Sequence, residues 1–395
     1  MNMELRLKEI QPQAVQKPER FLGETFDKNL FEAAVRGALA KTRKNLDVFI
    51  DRYPHVSVAN VYRPEENTLW TASFFPGMVF LSFELTGDQG FLKYEDRYLK
   101  SFLWRLKEGN TDTHDLGFLY TLSCVAAYRA TGNGRAKETA LLAADALARR
   151  YSPKGKYIQA WGKMGLKYPN VRIIIDCMMN LPLLYWASEV TGDGKYREYA
   201  RNHAYTSSRT LVRTDASTYH TCLMDPDSGK AVAGKTHQGL SDESTWARGQ
   251  AWAVYGFALS YRYTKESYFL DVAKKAANYF INHLPADFVP YWDFTFNDAN
   301  PDIKDSSAAA IFACGLLELE KHLDGEESTF YHQAACRVVR SLYENYSAAS
   351  VSGSNGLLLH GTYHRNDGAD ECTIWGDYFY FEALAKLLTG WESFW

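Results

Sequence analysis

The sequence predicts an all-α protein in which six helical hairpins close into a ring, an (α/α)6 barrel. Three observations carry that expectation. A short turn recurs as Thr86-Gly87-Asp88, Thr131-Gly132-Asn133, Thr191-Gly192-Asp193 and Thr389-Gly390, with degenerate copies at Thr264-Lys265-Glu266 and Leu323-Asp324-Gly325. Gly is the natural residue just past a helix, because it takes up positive φ without steric cost. An apolar, aromatic segment precedes every copy, and a polar, amphipathic one follows each of the first five. Helices apolar all round are buried, whereas those with one apolar stripe lie at the surface. Successive copies lie 45 to 73 residues apart, the span of a helix pair with variable loops.

In chain order, residues 1–27 form an N-terminal extension and residues 30–50 an amphipathic helix without a partner of its own. The inner, apolar segments are 74–85, 116–130, 177–190, 251–263, 308–322 and 378–388. Outer helices include 94–104 and 196–203. The last inner segment has no outer helix after it, so the unpaired helix at 30–50 supplies the sixth and favours a closed ring over an open solenoid. No Pro/Ser/Gly-rich linker divides the chain, and residues 1–395 are read as a single catalytic domain.

Composition narrows the function. The 44 Lys and Arg against 47 Asp and Glu leave a net charge of −3, without the basic excess of a nucleic-acid binder. A hydrophobic fraction of 46% with 23% charged residues is that of a folded protein. Aromatic residues reach 15%, either to fill a large core or to offer ring faces to ligands such as sugars. The six cysteines show no C-x-x-C spacing and several sit in apolar runs, so they read as reduced, buried thiols. No signal-type apolar core and no run of about 18 apolar residues occurs, which points to a cytoplasmic protein with no membrane partner.

Counting 15 or 16 residues back from each turn places Trp70, Asp115, Asp176, Arg248, Ser307 and Thr373 at one end of the barrel. Two carboxylates, an arginine and a tryptophan at equal depth around one funnel make a candidate site. The competing reading is that Asp115 and Asp176 cap the helices they precede. Loops add Trp161, His220 and the run 236–252, which mixes donors, acids and two indoles as a pocket wall does. Asp225-Pro226-Asp227-Ser228-Gly229 reads as a turn, with a calcium ligand pair as the alternative. Metalloprotease, P-loop, nucleophile-elbow and complete dinucleotide-binding motifs are missing from the sequence, so metal, nucleotide and serine-nucleophile mechanisms lack support.

The ordered motifs resemble the unsaturated glucuronyl hydrolases, glycoside hydrolase family 88. The likeness runs from Asn67-Thr-Leu-Trp70 through His114-Asp-Leu-Gly-Phe-Leu-Tyr120, Gln159-Ala-Trp-Gly162, Ile174-Ile-Asp-Cys177 and Gln238-Gly-Leu-Ser-Asp-Glu-Ser-Thr-Trp-Ala-Arg-Gly-Gln-Ala-Trp252. It continues in Tyr291-Trp-Asp293, Asp305-Ser-Ser307 and Asp370-Glu-Cys-Thr-Ile-Trp-Gly-Asp-Tyr378. The resemblance implies an (α/α)6 barrel and, as substrate, lyase-generated oligosaccharides with a 4,5-unsaturated uronic acid at the non-reducing end. It implies hydration of the vinyl ether, with Asp176 as general acid and base and Asp115 positioning water, and no cofactor. Trp70, Trp161 and Trp252 would stack on sugars, while His114, His220, Gln238 and Arg248 would hold them, Arg248 as a fork for a carboxylate. A protonated acid near neutral pH needs apolar surroundings, which Ile173, Ile174 and Ile175 offer and Arg172 opposes. Members that take sulfated fragments carry Ser-x-x-Ser-x-Lys shortly after Leu-His-Gly; residues 359–370 are shorter and lack it, which favours unsulfated substrates. The alternatives are an unsaturated rhamnogalacturonyl hydrolase, an inverting glycosidase on a saturated glycoside, and a non-catalytic sugar-binding module.

Overall fold

The structure, a computed structural model, describes residues 9–395. It is predominantly helical. The inner set comprises α2 (Phe74–Thr86), α4 (Leu116–Tyr120) continued by α5 (Ala126–Thr131), α7 (Leu181–Thr191), α9 (Ala247–Thr264), α11 (Ser306–Glu320) and α13 (Ile374–Thr389). The outer set comprises α1 (Lys28–Asn45), α3 (Glu95–Lys107), α6 (Gly134–Ala148), α8 (Gly194–Thr210), α10 (Ser267–Asn282) and α12 (Gly325–Tyr346).

The recurring turn is a two-part device. Thr86, Thr131, Thr191 and Thr389 each donate their hydroxyl to the carbonyl four residues back, at 2.6–2.9 Å, and so close the inner helix. The following Gly87, Gly132, Gly192 and Gly390 are left-handed, with φ of 65–75°. In the first three copies the next residue caps the succeeding helical segment: Asp88 accepts from Gly90 N, Asn133 from Arg135 N and Asp193 from Lys195 N. In the degenerate copy Thr264 donates in the same way, and Lys265 takes the left-handed position at φ 59°.

Every residue of α9 up to Ser260, and of α11 up to Leu319, is buried. Such helices can exist only inside a shell, which the outer set provides. Each inner helix packs on the next: α2 on α5, α4 on α7, α7 on α9, α9 on α11 and α11 on α13. α13 returns to α2, and α1 lies against both of them. The core between them is aromatic, with Phe74, Phe118, Trp252, Phe379 and Trp395 in mutual ring contact. The core reading therefore accounts for much of the aromatic excess.

The structure departs from an all-α expectation in two small antiparallel sheets. One pairs β1 (Tyr151–Ser152) with β2 (Tyr157–Ile158); the other orders β3 (Arg172–Ile174), β4 (Thr221–Met224) and β5 (Ala231–Lys235). These strands are too short for an alternation to stand out in the sequence. The second inner helix is interrupted by a π-helical turn at Thr121–Val125, and the third begins as a 3-10 turn, Ile175–Met179, before Pro182 opens α7. The unpaired helix ends at Asn45, five residues short of the expected boundary.

Residues 1–8, most of the charged N-terminal stretch, lie outside the described residues. From there the extension runs as a strap. Gln11 N donates to Thr214 O, Gln16 N donates to Asn282 Oδ1, and Phe21 is buried against Phe288 and Phe330. All six cysteines are buried and unpaired. Among the described residues no helix is long and apolar enough to cross a membrane, and no group of three or more His, Cys, Asp or Glu is arranged to hold a metal ion. Asp225 uses its carboxylate on Asp227 N and Ser228 Oγ, so the turn reading holds there.

Candidate active site

The second sheet sets one side of the site. β3 pairs with β4 so that Ile174 faces Thr221, and Ile175 N donates to His220 O at 3.0 Å. The chain then tightens into the 3-10 turn that holds Asp176, which brings His220 Nε2 to 3.9 Å from Asp176 Oδ2. The other acid comes from the start of α4. His114 N donates to Ala160 O and Thr113 bridges to Trp161, so Asp115 and Trp161 are fixed to one another. Close approach of these two halves depends on Gly117, whose absent Cβ would lie 2.2 Å from Asn180 Cα.

The resulting pocket of about 190 Å³ brings together eight of the nine sequence-predicted residues: Trp70, His114, Asp115, Trp161, Asp176, His220, Gln238 and Arg248. Ile174, His237 and Tyr363 complete its lining. A larger hollow of about 330 Å³ lies under the N-terminal strap, but among the described residues Asp298 is its lone acid. Of the residues counted to the same depth, Ser307 and Thr373 are buried and do not line the pocket. Ser307 instead accepts the indole N–H of Trp375 at 2.9 Å.

The two carboxylates are neither caps nor surface groups. Asp115 makes no side-chain cap; its Oδ2 accepts from Thr113 Oγ1 at 2.7 Å and its Oδ1 lies 3.4 Å from His114 Nε2. Asp176 Oδ2 is buried without a hydrogen-bond partner. The side chains of Asp115 and Asp176 are 15% and 16% exposed, which leaves both open to a ligand in the pocket and little else.

Burial is the chief cause that pushes the Asp176 carboxyl up to about 7, and the charge of Asp115 adds to it. Arg248 opposes the rise. The countercharge is thus Arg248, in place of the sequence-expected Arg172, whose guanidinium sits 5.7 Å over the Trp161 ring. His220 is held neutral: burial lowers its pKa well below the ordinary range, with neighbouring His237 and Arg248 in support. Its Nδ1 accepts from both His237 N and Gln238 N, so its proton resides on Nε2, facing Asp176. Burial likewise lowers His114.

Two expectations need correction. Trp252 is fully buried between Phe118 and Phe379, at ring distances of 5.2 and 5.4 Å, and does not line the pocket. It follows Arg248 by four residues on α9, one turn deeper, where rings from several helices fill the core between the inner helices. The Arg248 fork does not stand free for a ligand carboxylate. One Nη donates to Asp305 Oδ2 at 2.7 Å and to Thr362 O, the other to Tyr363 O at 2.8 Å. Gln238 Nε2 donates to the same Tyr363 carbonyl. Both side chains hold the segment at 362–363 over the pocket, which is how Tyr363, missed in the sequence, becomes part of the site. His237 was within the singled-out run at 236–252, but its place in the lining follows from the loop after β5.

Residues 42–381 match the model of Glycosyl Hydrolase Family 88. The chain belongs to that family. It is 42% identical over 399 residues to the unsaturated chondroitin disaccharide hydrolase of Streptococcus agalactiae serotype III (strain NEM316), covering 99% of this chain and 100% of that protein. The crystal structure of unsaturated glucuronyl hydrolase from Streptococcus agalactiae superposes with a TM-score of 0.95 at 42% identity, over 99% of this chain and 100% of the other. A mutant of that hydrolase crystallised with dGlcA-GalNAc6S gives a TM-score of 0.88 at 39% identity, again over 99% and 100%. Family membership makes this family 88 protein a glycoside hydrolase, in line with the motifs that suggested it.

Proposed function

We propose that this family 88 protein is an unsaturated glucuronyl hydrolase that hydrates the C4=C5 double bond of the terminal uronic acid in glycosaminoglycan-type oligosaccharides. The observation that carries the reading is a buried carboxyl, Asp176, raised to about 7 beside a second acid in a pocket walled by indoles. Asp176 donates its proton to C4, and its conjugate base takes a proton from water as the oxygen adds to C5. Asp115 orients that water. The C5 hemiketal then opens: the bond from C5 to the ring oxygen breaks, C5 becomes a ketone, and C1 expels the remaining sugar to leave an open keto acid. His220, neutral and carrying its proton on Nε2, donates towards the Asp176 carboxylate or the bound sugar. Trp70 and Trp161 offer stacking faces.

The contacts of α13 with α2, together with the alternation of inner and outer helices, support a closed (α/α)6 barrel acting as one catalytic unit. The six unpaired, buried cysteines suit the cytoplasm, where thiols stay reduced. Unsulfated chondroitin or hyaluronan disaccharides fit best, because the short segment at 359–370 commits Arg365 to Asp302 at 3.0 Å. The test is a panel of unsaturated disaccharides from chondroitin, hyaluronan, heparin and rhamnogalacturonan with a saturated glycoside as control. Loss of the ultraviolet absorbance of the conjugated double bond, fastest on unsulfated chondroitin or hyaluronan, supports the proposal. Turnover of the saturated glycoside alone contradicts it.

A further inference from the structure

We propose that Asp305 is a positioning residue for this reaction: by balancing the charge of Arg248 and tying down Thr362, it holds the guanidinium at the pocket wall and Tyr363 over the two acids. The inference rests on the hydrolase reading above and extends it to a residue outside the pocket. Asp305 is fully buried, and both of its carboxylate oxygens accept hydrogen bonds. Its Oδ2 accepts from one Arg248 Nη at 2.7 Å, while its Oδ1 accepts from Ser307 N at 3.1 Å, Ser307 Oγ and Thr362 N at 3.3 Å. The flanking residues close the same seam, since Ser306 N donates to His360 O and Thr362 Oγ1 donates to Lys304 O. A carboxylate used this fully does more than start α11, a task that the single bond to Ser307 N performs.

The consequence for chemistry is electrostatic. Arg248 is the cation that opposes protonation of Asp176. Paired with Asp305 it presents a dipole there; unpaired, it would present a full positive charge. Other titratable groups lining the pocket with Asp176 are Asp115 and His114 from the start of α4, His220 before β4 and His237 after β5, while Arg172 on β3 stacks over Trp161 and acts on His220. Of these, Asp115 is the one that favours the protonated form. Asp305 therefore protects the acid indirectly, by limiting what Arg248 can do to it.

The experiment compares kcat and KM against pH for the unsubstituted protein, Asp305→Asn and Asp305→Glu on an unsaturated chondroitin disaccharide. Asn preserves shape and the acceptor for Ser307 but turns an amide donor to Arg248. Its kcat is expected to fall about tenfold or more with KM changed less than about threefold, and its alkaline limb to move down by about one pH unit. Glu retains the charge, so its limb stays in place while its extra methylene lowers kcat. A profile for Asp305→Asn that superposes on the unsubstituted one, with only a lower melting temperature, overturns the proposal. If Asp305→Asn does not fold, Asp305→Glu decides: reduced kcat with an unmoved limb upholds the proposal, and undiminished kcat overturns it. Absence of turnover by the unsubstituted protein is seen before either variant and overturns the hydrolase reading along with this one.

Discussion

Asp176→Asn should abolish turnover and yet stabilise the protein at alkaline pH. A carboxyl whose folded-state value is about 7, against an ordinary 3.8, resists ionisation in the fold. The unfolded chain loses this proton near pH 4 without resistance, so ionisation weakens the fold progressively from about pH 4 to 7 and fully above that. The full difference corresponds to about 4 kcal/mol. Because 16% of the side chain meets pocket water, a realistic share is about 1–3 kcal/mol. Asn has the same shape and never ionises. For a chain of 395 residues that gain corresponds to about 1–4 °C in melting temperature. The assay is thermal unfolding of both proteins from pH 5 to 9, with absorbance kinetics alongside. The variant should melt higher at pH 8, with the gap narrowing towards pH 5. A variant that melts lower at pH 8, or a gap independent of pH, would refute the claim that the fold holds this acid protonated.

Three further outcomes rest on the geometry. Asp115→Asn removes a charge that raises Asp176, so residual activity should be about 100-fold lower and its alkaline limb displaced to lower pH, read from a pH–rate profile. Trp252→Ala should destabilise by about 3–5 kcal/mol in denaturant titrations, whereas Trp161→Ala should raise KM with little change in stability, because the first ring is core and the second lines the pocket. Gly117→Ala should lower both melting temperature and kcat, since its methyl group would collide with Asn180 Cα beside the turn that holds Asp176.

Much of this architecture was legible because it rests on local chemistry. The Thr-Gly-Asp turns could be read as helix ends since the hydroxyl, the left-handed residue and the cap are adjacent in the chain. Counting back from them brings together Trp70, Asp115, Asp176 and Arg248, which line one pocket, because each copy of the turn closes an inner helical segment. Ser307 and Thr373 stand at the starts of α11 and α13 without lining the pocket, as depth does not say which way a side chain turns. Trp252 lies off the pocket for a related reason: four residues beyond Arg248 is one turn deeper, in the core. The Arg248 fork and Tyr363 depend on partners 57 to 125 residues away, which no local pattern reports. The small sheet that aims His220 at Asp176 joins segments about 50 residues apart through strands of three to five residues.

The order of events on an unsaturated chondroitin disaccharide tests the central claim most directly. Absorbance of the double bond and release of the free amino sugar can be followed together in one stopped reaction series, with Asp176→Asn as control. Hydration at C4=C5 predicts that absorbance falls before or together with sugar release, and that neither occurs in the variant. Sugar release that runs ahead of the absorbance loss would mean direct cleavage at the anomeric carbon, and would contradict the assignment of Asp176 as the proton donor to C4.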